Sequence, residues 1–123
     1  VHTKDGTIRN YYKEAKQNLI KQSEKIKGIE FRCCDYREYT EFENCLFYLD
    51  PPYKGTTQYG INKDFEHEVF WDWCRVMSEK NIVLISEQQA PKEFECILEI
   101  PVQRTLNNEK RSGATERLFE FIE

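Results

Sequence analysis

Two stretches of the chain repeat their apolar residues at the spacing of an amphipathic helix. From residue 8 to about residue 27 the apolar positions return at steps of three, four and seven, with lysine and glutamate between them. The second stretch covers residues 65–79 and is rich in aromatic residues, and Asp64 before it is the expected N-cap. The pattern therefore predicts two helices, with shorter apolar runs between and after them.

Five short apolar runs predict strands. Three of them cover residues 29–34, 45–49 and 82–86, and the third is continuous, which is typical of a strand buried on both faces of a parallel sheet. Residues 96–102 and 117–122 fit a closing antiparallel pair. The alternation of strands and helices predicts an α/β fold with a mostly parallel sheet and an antiparallel carboxyl-terminal strand.

Length and composition indicate one soluble globular domain. The chain has 123 residues, and no apolar run reaches the roughly 20 residues that a membrane span needs. The five cysteines are odd in number and form no Cys-x-x-Cys pair, so neither a disulfide framework nor a metal site is expected. Because they fall in apolar segments, we expect them to be reduced and mostly buried, in a cytoplasmic protein.

The most informative motif is Asp50-Pro51-Pro52-Tyr53, directly behind the apolar run at residues 45–49. Two successive prolines end a strand and stiffen the chain after it. The Asp50 carboxylate is thereby held at the carboxyl end of a strand, where open α/β sheets bind ligands. A carboxylate, free carbonyls and an aromatic ring can together grip a flipped-out nucleobase. A plain strand-ending turn is the alternative interpretation of the same residues.

The segment 47–53 resembles the catalytic motif of the Dam-like, phage-type DNA adenine methyltransferases. The similarity extends over nearly the whole chain, through residues 30–38, 70–74, 83–87 and 111–119. It implies a partial Rossmann-like methyltransferase sheet. It also implies an enzyme that transfers a methyl group from S-adenosylmethionine to the exocyclic amine of adenine in double-stranded DNA.

The resemblance implies a role for each residue of the motif. The Asp50 carboxylate and the Pro51 carbonyl would accept hydrogen bonds from the adenine amine and make its nitrogen more tetrahedral and more nucleophilic. Pro52 would help to lock Tyr53, whose ring would stack on the flipped adenine.

The resemblance places the cofactor at Asp35, Tyr36 and Asp50. Asp35 would accept from the amino group of the cofactor adenine, and the Tyr36 backbone would contact the same ring; a strand-end turn residue is the alternative for Asp35. The family's Phe-x-Gly-x-Gly turn and its DNA-recognition segment do not occur in the sequence. We therefore expect residues 1–123 to be the carboxyl-terminal part of a catalytic domain, without its amino-terminal half.

Contacts with DNA are expected from two regions. Lys54 and Tyr59 lie on the loop behind the motif, and Lys110 and Arg111 lie near the end of the chain. Phosphate binding depends on clustered lysine and arginine, and the net charge of −4 argues against a broad basic surface of this kind. Ordinary exposed loop residues are the alternative for Lys54 and Tyr59.

Two other functions stay open at this stage. A methyltransferase remnant could bind DNA or a protein partner without turnover, and cofactor binding separates such a remnant from an enzyme. Methylation of another planar amine, in RNA or protein, is also possible, because glutamine-modifying methyltransferases use a similar Asn-Pro-Pro-Tyr motif. Aspartate at position 50 favours DNA adenine.

Overall fold

The computed structural model describes residues 6, 8–54, 64–102 and 114–122. The chain forms two compact units, Val1–Cys34 and Asp35–Glu123. In chain order the elements are helix α1 (Tyr11–Lys25), a short 3-10 helix (Tyr36–Tyr39), strand β1 (Leu46–Leu49), helix α2 (His67–Ser78), and strands β2 (Ile82–Glu87), β3 (Phe94–Val102) and β4 (Ala114–Phe121). Within the described ranges, no helix has both the length and the apolar character of a membrane span.

Helix α1 belongs to the first unit and confirms the first predicted helix, with shorter ends. The Asn10 side-chain oxygen accepts from the Lys13 backbone N–H at 3.0 Å, which satisfies one free donor of the first turn. None of the helix residues is buried. Gly28 follows the helix with a φ of 85°, a conformation that costs glycine little and that turns the chain away from the helix axis.

The strand expected at residues 29–34 is a wrong prediction. These residues pair with no strand in the described part of the chain, and a strand exists only beside a hydrogen-bonded neighbour. Phe31 is 74% exposed, and Cys33 and Cys34 are exposed as well. Asp35 therefore ends no strand, and its side chain caps the 3-10 helix instead.

The second unit is built on a four-stranded sheet with the order β1-β2-β4-β3. β1 and β2 are parallel, whereas β4 is antiparallel to both β2 and β3. The antiparallel carboxyl-terminal strand is confirmed. The mostly parallel sheet is wrong for the described residues, because β3 and β4 form an antiparallel ribbon that pairs with β2 through β4. The wider Rossmann-like sheet stays a prediction.

The core lies where α2 packs on the sheet. Alternate residues of β2 face it, since Val83 and Ile85 are 1% and 0% exposed. β2 has a strand on each side, and the predicted burial is confirmed on the face toward α2. Burial on both faces is wrong, because Ile82 on the other face is 57% exposed and Leu84 is half-buried. The buried apolar residues form one cluster, made of Phe70, Trp71, Trp73, Cys74, Met77, Val83, Ile85, Phe94 and Phe119.

The aromatic face of α2 also holds the 3-10 helix. The Tyr36 ring meets the Trp73 ring edge-on at a centroid distance of 5.1 Å, and the Trp73 indole N–H donates to Thr40 Oγ1 at 3.1 Å. The helix begins at His67, with Glu66 at the cap position and no capping side-chain bond. The prediction of Asp64 as the N-cap is therefore wrong.

The cysteines depart from the expectation of burial. None of the five, all of which lie in the described ranges, forms a disulfide; Cys74 is buried, and Cys45 is half-buried. Cys33, Cys34 and Cys96 are exposed. The expectation failed because residues 33 and 34 belong to no strand, and because β3, which carries Cys96, lies at the sheet edge.

Candidate active site at the carboxyl ends of β1 and β2

The parallel pairing of β1 and β2 brings their carboxyl ends to the same edge of the sheet. Leu49 pairs with Ile85, so Asp50 leaves β1 beside the last residues of β2. The antiparallel strand β4 adds its first half to this edge, because Glu87 pairs with Arg117. The Arg117 guanidinium donates to the Gln88 carbonyl at 2.8 Å, which fixes the turn after β2.

Asp50 and Pro51 differ sharply in exposure. Pro51 is buried behind β1, whereas Asp50 is exposed. The ring of a proline has a fixed φ, so the buried Pro51 restricts the backbone that carries the carboxylate. The predicted position of Asp50 directly behind a strand is confirmed, and its carboxylate is open to a ligand.

The hydroxyl group of Tyr53 is held by hydrogen bonds. The hydroxyl donates to Glu116 Oε2 at 2.5 Å and lies 3.1 Å from Ser86 Oγ, which can donate to it. Burial, followed by the hydrogen bond to Glu116, raises the pKa of Tyr53, so the phenol stays neutral. The ring of Tyr53 is half-buried and its orientation is fixed from one end.

His67 holds the motif from the side of α2. Its Nε2 lies 2.9 Å from the Pro52 carbonyl, so this nitrogen carries the proton and donates. The Phe65 ring meets the imidazole edge-on at a centroid distance of 4.9 Å. The turn thus has two supports, His67 at Pro52 and the Ser86–Glu116 pair at Tyr53.

Glu87 is a buried carboxylate at the end of β2, only 3% exposed. Its Oε1 accepts from the Gln88 backbone N–H at 2.7 Å, and its Oε2 has no hydrogen-bond partner among the described residues. Burial raises the pKa of Glu87, and the charge of Asp50 adds to the rise. The backbone N–H groups of Gln88 and Lys54, followed by His67, lower it in part, although the Lys54 N–H makes no hydrogen bond of normal geometry with Oε2. Glu87 lines a cavity on this edge of the sheet.

Four functional candidates at this edge were not predicted from the sequence: His67, Ser86, Glu87 and Glu116. Ser86 and Glu87 end a continuous apolar strand, and polar residues at such a strand end were the available signal. For His67 and Glu116 the sequence alone offers no signal, because only the folded topology brings them to the motif.

Asp35 and Tyr36, the expected cofactor residues, lie at the start of the 3-10 helix. Asp35 Oδ1 accepts from the Arg37 backbone N–H at 2.9 Å, and the Arg37 guanidinium bonds both carboxylate oxygens at 2.8 Å. These hydrogen bonds from Arg37 lower the pKa of Asp35 to about 2. The carboxylate is therefore ionised at neutral pH, and the Tyr36 ring packs on α2.

Among the expected DNA-contacting residues, Lys54 is exposed and lines the cavity beside Glu87. Tyr59, Lys110 and Arg111 lie outside the described residues. In the part of the chain that the structure describes, no group of histidine, cysteine and acidic residues could hold a metal ion.

A family comparison favours one of the open functions. Over residues 3–108 the sequence matches the family described as D12 class N6 adenine-specific DNA methyltransferase. The chain belongs to this family. Membership in the D12 class confirms the resemblance and implies a methyltransferase enzyme, so an enzyme is favoured over a non-catalytic remnant. It also favours adenine in DNA, rather than an amine in RNA or protein, as the methylated group. Neither a curated protein nor a solved structure shows significant similarity to the chain.

The anchored tyrosine of this D12-class chain leads to a prediction. Tyr53→Ala removes the ring and should lower kcat/KM for DNA by roughly 5- to 150-fold, which corresponds to the usual 1–3 kcal/mol of a base–aromatic stack. Tyr53→Phe keeps the ring, loses the bonds to Ser86 and Glu116, and should cost far less. Tyr48→Ala, at an exposed position on β1, is the control. Equal losses in Tyr53→Ala and Tyr53→Phe would contradict a stacking role.

Proposed function

We propose that the enzyme transfers the methyl group of S-adenosylmethionine to the exocyclic amine of adenine in double-stranded DNA, at the turn formed by Asp50, Pro51, Pro52 and Tyr53. The observation that carries the proposal is the exposed Asp50 carboxylate behind β1, on a backbone held by the buried Pro51 and next to the anchored Tyr53. This arrangement offers acceptors and a ring to one planar base.

The chemistry requires a more reactive nitrogen. The lone pair of an exocyclic amine is delocalised into the purine ring, so the amine is a weak nucleophile while it stays planar. Hydrogen bonds from its two N–H groups to the Asp50 carboxylate and the Pro51 carbonyl favour a tetrahedral nitrogen and stabilise the positive charge that develops on it. Because the prolines restrict the backbone that carries these acceptors before the substrate arrives, less reorganisation is needed during the reaction.

The cofactor supplies an electrophilic methyl group. Asp35, Tyr36 and Asp50 are the residues that we propose to contact it. Asp35 suits the cofactor's adenine amine in chemical terms, because an ionised carboxylate has about four lone-pair sites and Arg37 occupies only part of them. A single carboxylate holds a cofactor weakly, and no glycine-rich turn occurs in the sequence to add backbone donors. We therefore propose that residues 1–123 act as the carboxyl-terminal part of a catalytic domain.

This proposal predicts the behaviour of residues 1–123 on their own. Titration calorimetry with S-adenosylmethionine should show no saturation in the micromolar range, and the same preparation should transfer no methyl group to DNA. A preparation of the active enzyme that carries this sequence is the positive control. Micromolar affinity or turnover by residues 1–123 alone would contradict the proposed division of the domain.

DNA contacts complete the proposal. Lys54 is exposed directly behind the motif, where it can meet the phosphates next to a flipped base. Tyr59, Lys110 and Arg111 are proposed as further contacts on the grounds of their residue types alone. With a net charge of −4 on the chain, we expect few phosphate contacts from these residues. The part of the DNA affinity that they contribute should therefore depend only weakly on the salt concentration.

A further inference from the structure

Glu87 is a buried carboxylate that has no role in the proposed methyl transfer. A carboxylate that is only 3% exposed needs hydrogen-bond donors for both oxygens, and leaving one oxygen unpaired costs stability. One oxygen accepts from the Gln88 backbone, and Oε2 has no partner in the described part of the chain. A donor from outside these residues would remove this cost.

The cavity beside Glu87 lies on the opposite face of the sheet from the Tyr53 hydroxyl. Consecutive strand residues point to opposite faces of a sheet. Ser86 bonds the Tyr53 hydroxyl on one face, whereas Glu87 lies with Val83 and Ile85 on the face that packs on α2. The cavity measures about 140 Å³ and is lined by Lys54, His67, Trp71, Glu87, Gln88 and Gln89.

The lining of the cavity indicates the class of ligand. A carboxylate repels phosphate but accepts hydrogen bonds from base amines, and in DNA recognition glutamate accepts from the amine of cytosine while glutamine pairs with adenine. Glu87, Gln88 and Gln89 form this kind of set, and the Trp71 indole adds an apolar wall. Lys54 places the entrance next to the DNA-facing turn.

We propose that this cavity is a second base-binding site, in which Glu87 Oε2 accepts from the exocyclic amine of a nucleobase other than the methylated adenine. The inference rests on the proposed function, since it takes DNA as the substrate. It makes Glu87 a specificity-determining residue that favours a base with an amine, such as cytosine, over a base with a carbonyl at the same position.

Deoxycytidine and deoxyuridine provide a matched pair of probes, because they differ only in the amine or carbonyl at one ring position. Residues 1–123 contain two tryptophans, whose indole N–H signals can be followed by NMR during titration. Trp71 lines the cavity, whereas the Trp73 indole N–H is bonded to Thr40 and serves as an internal control. We expect the Trp71 signal to shift and saturate, with deoxycytidine binding about tenfold more tightly than deoxyuridine.

The variants separate a direct contact from a general loss of structure. Glu87→Leu should abolish the preference for deoxycytidine, and Glu87→Gln should reduce it, while exposed Glu95→Gln on β3 should leave it unchanged. An altered fold in Glu87→Leu would move the Trp73 signal and weaken both nucleosides equally. In that case Glu87→Gln decides, and an unchanged preference there would overturn the proposal.

Three results would reject the second base site. They are equal affinities for deoxycytidine and deoxyuridine, no shift of Trp71 up to the solubility limit, or an undiminished preference in both Glu87 variants. Equal affinities are also the result expected if the Lys54 ammonium, rather than a base, bonds Oε2. A failure of this site leaves methyl transfer by the active enzyme, and its dependence on Asp50, unchanged, so the two proposals fail separately.

Discussion

Asp50→Ala should abolish methyl transfer in the active enzyme that carries this sequence. We expect a loss near the upper end of the roughly hundred- to thousandfold in kcat that removal of a preorganised electrostatic contact to the reacting group usually costs. In the proposed mechanism the carboxylate is the charged acceptor for the amine, and alanine offers no replacement. Because Asp50 is exposed, the substitution removes little packing, and the fold should stay intact. Initial rates with labelled cofactor and DNA, together with thermal unfolding, measure both effects.

The conservative variant sharpens this prediction. Asp50→Asn keeps an acceptor oxygen and loses the charge, so a trace of activity should remain. Glu95→Ala, at an exposed acidic position on β3, is the matched control and should transfer at the parental rate. If Asp50→Ala methylates DNA at nearly the parental rate, Asp50 is not the acceptor, whatever the motif resembles.

Ile85→Ala should destabilise the protein by about 2–5 kcal/mol, the usual cost of removing a fully buried aliphatic side chain. Ile85 is completely buried on the central strand β2, where it packs in the cluster under α2. Ile82 begins the same strand and is 57% exposed, so Ile82→Ala is the matched control and should cost far less. Denaturant titration of both variants measures the free energy of unfolding. Equal losses would mean that the core does not lie between α2 and the sheet.

Local chemistry made part of this structure predictable from the sequence. The helical period of residues 8–27, the apolar run of β2 and the proline pair behind β1 each act on neighbouring residues, and the helix, the strand and the strand end that they predict are all present. The placement of Asp50 at a strand end follows from the same local rules. A strong motif therefore located the candidate site before any tertiary contact was known.

Apart from the local error at the Asp64 cap, the failed predictions depend on partners that are distant in sequence. Residues 29–34 have the composition of a strand, but a strand also requires a neighbour, and none pairs with them in the described part of the chain. The direction of β4 is set by its pairing with β2, so the sheet could not be identified as mostly antiparallel from alternation alone. Cys96 is exposed because β3 is an edge strand, a property of topology rather than of composition.

The residues that hold the motif in place could not be predicted from the sequence for the same reason. The bond from His67 to the Pro52 carbonyl joins residues 15 positions apart, and that from Tyr53 to Glu116 joins residues 63 apart. Hydrophobic periodicity carries no information on such pairs. The motif indicates the residues that we propose to react, whereas the residues that hold the motif in place become visible only once the strands are ordered.

Product analysis tests the central claim most directly. The active enzyme that carries this sequence is incubated with DNA and cofactor labelled in the methyl group, the DNA is digested to nucleosides, and the labelled nucleoside is identified by mass spectrometry. The account predicts that the label is in N6-methyldeoxyadenosine and that it disappears in Asp50→Ala. Label in another nucleoside, or undiminished N6-methyldeoxyadenosine in Asp50→Ala, would contradict adenine methylation at the Asp-Pro-Pro-Tyr turn.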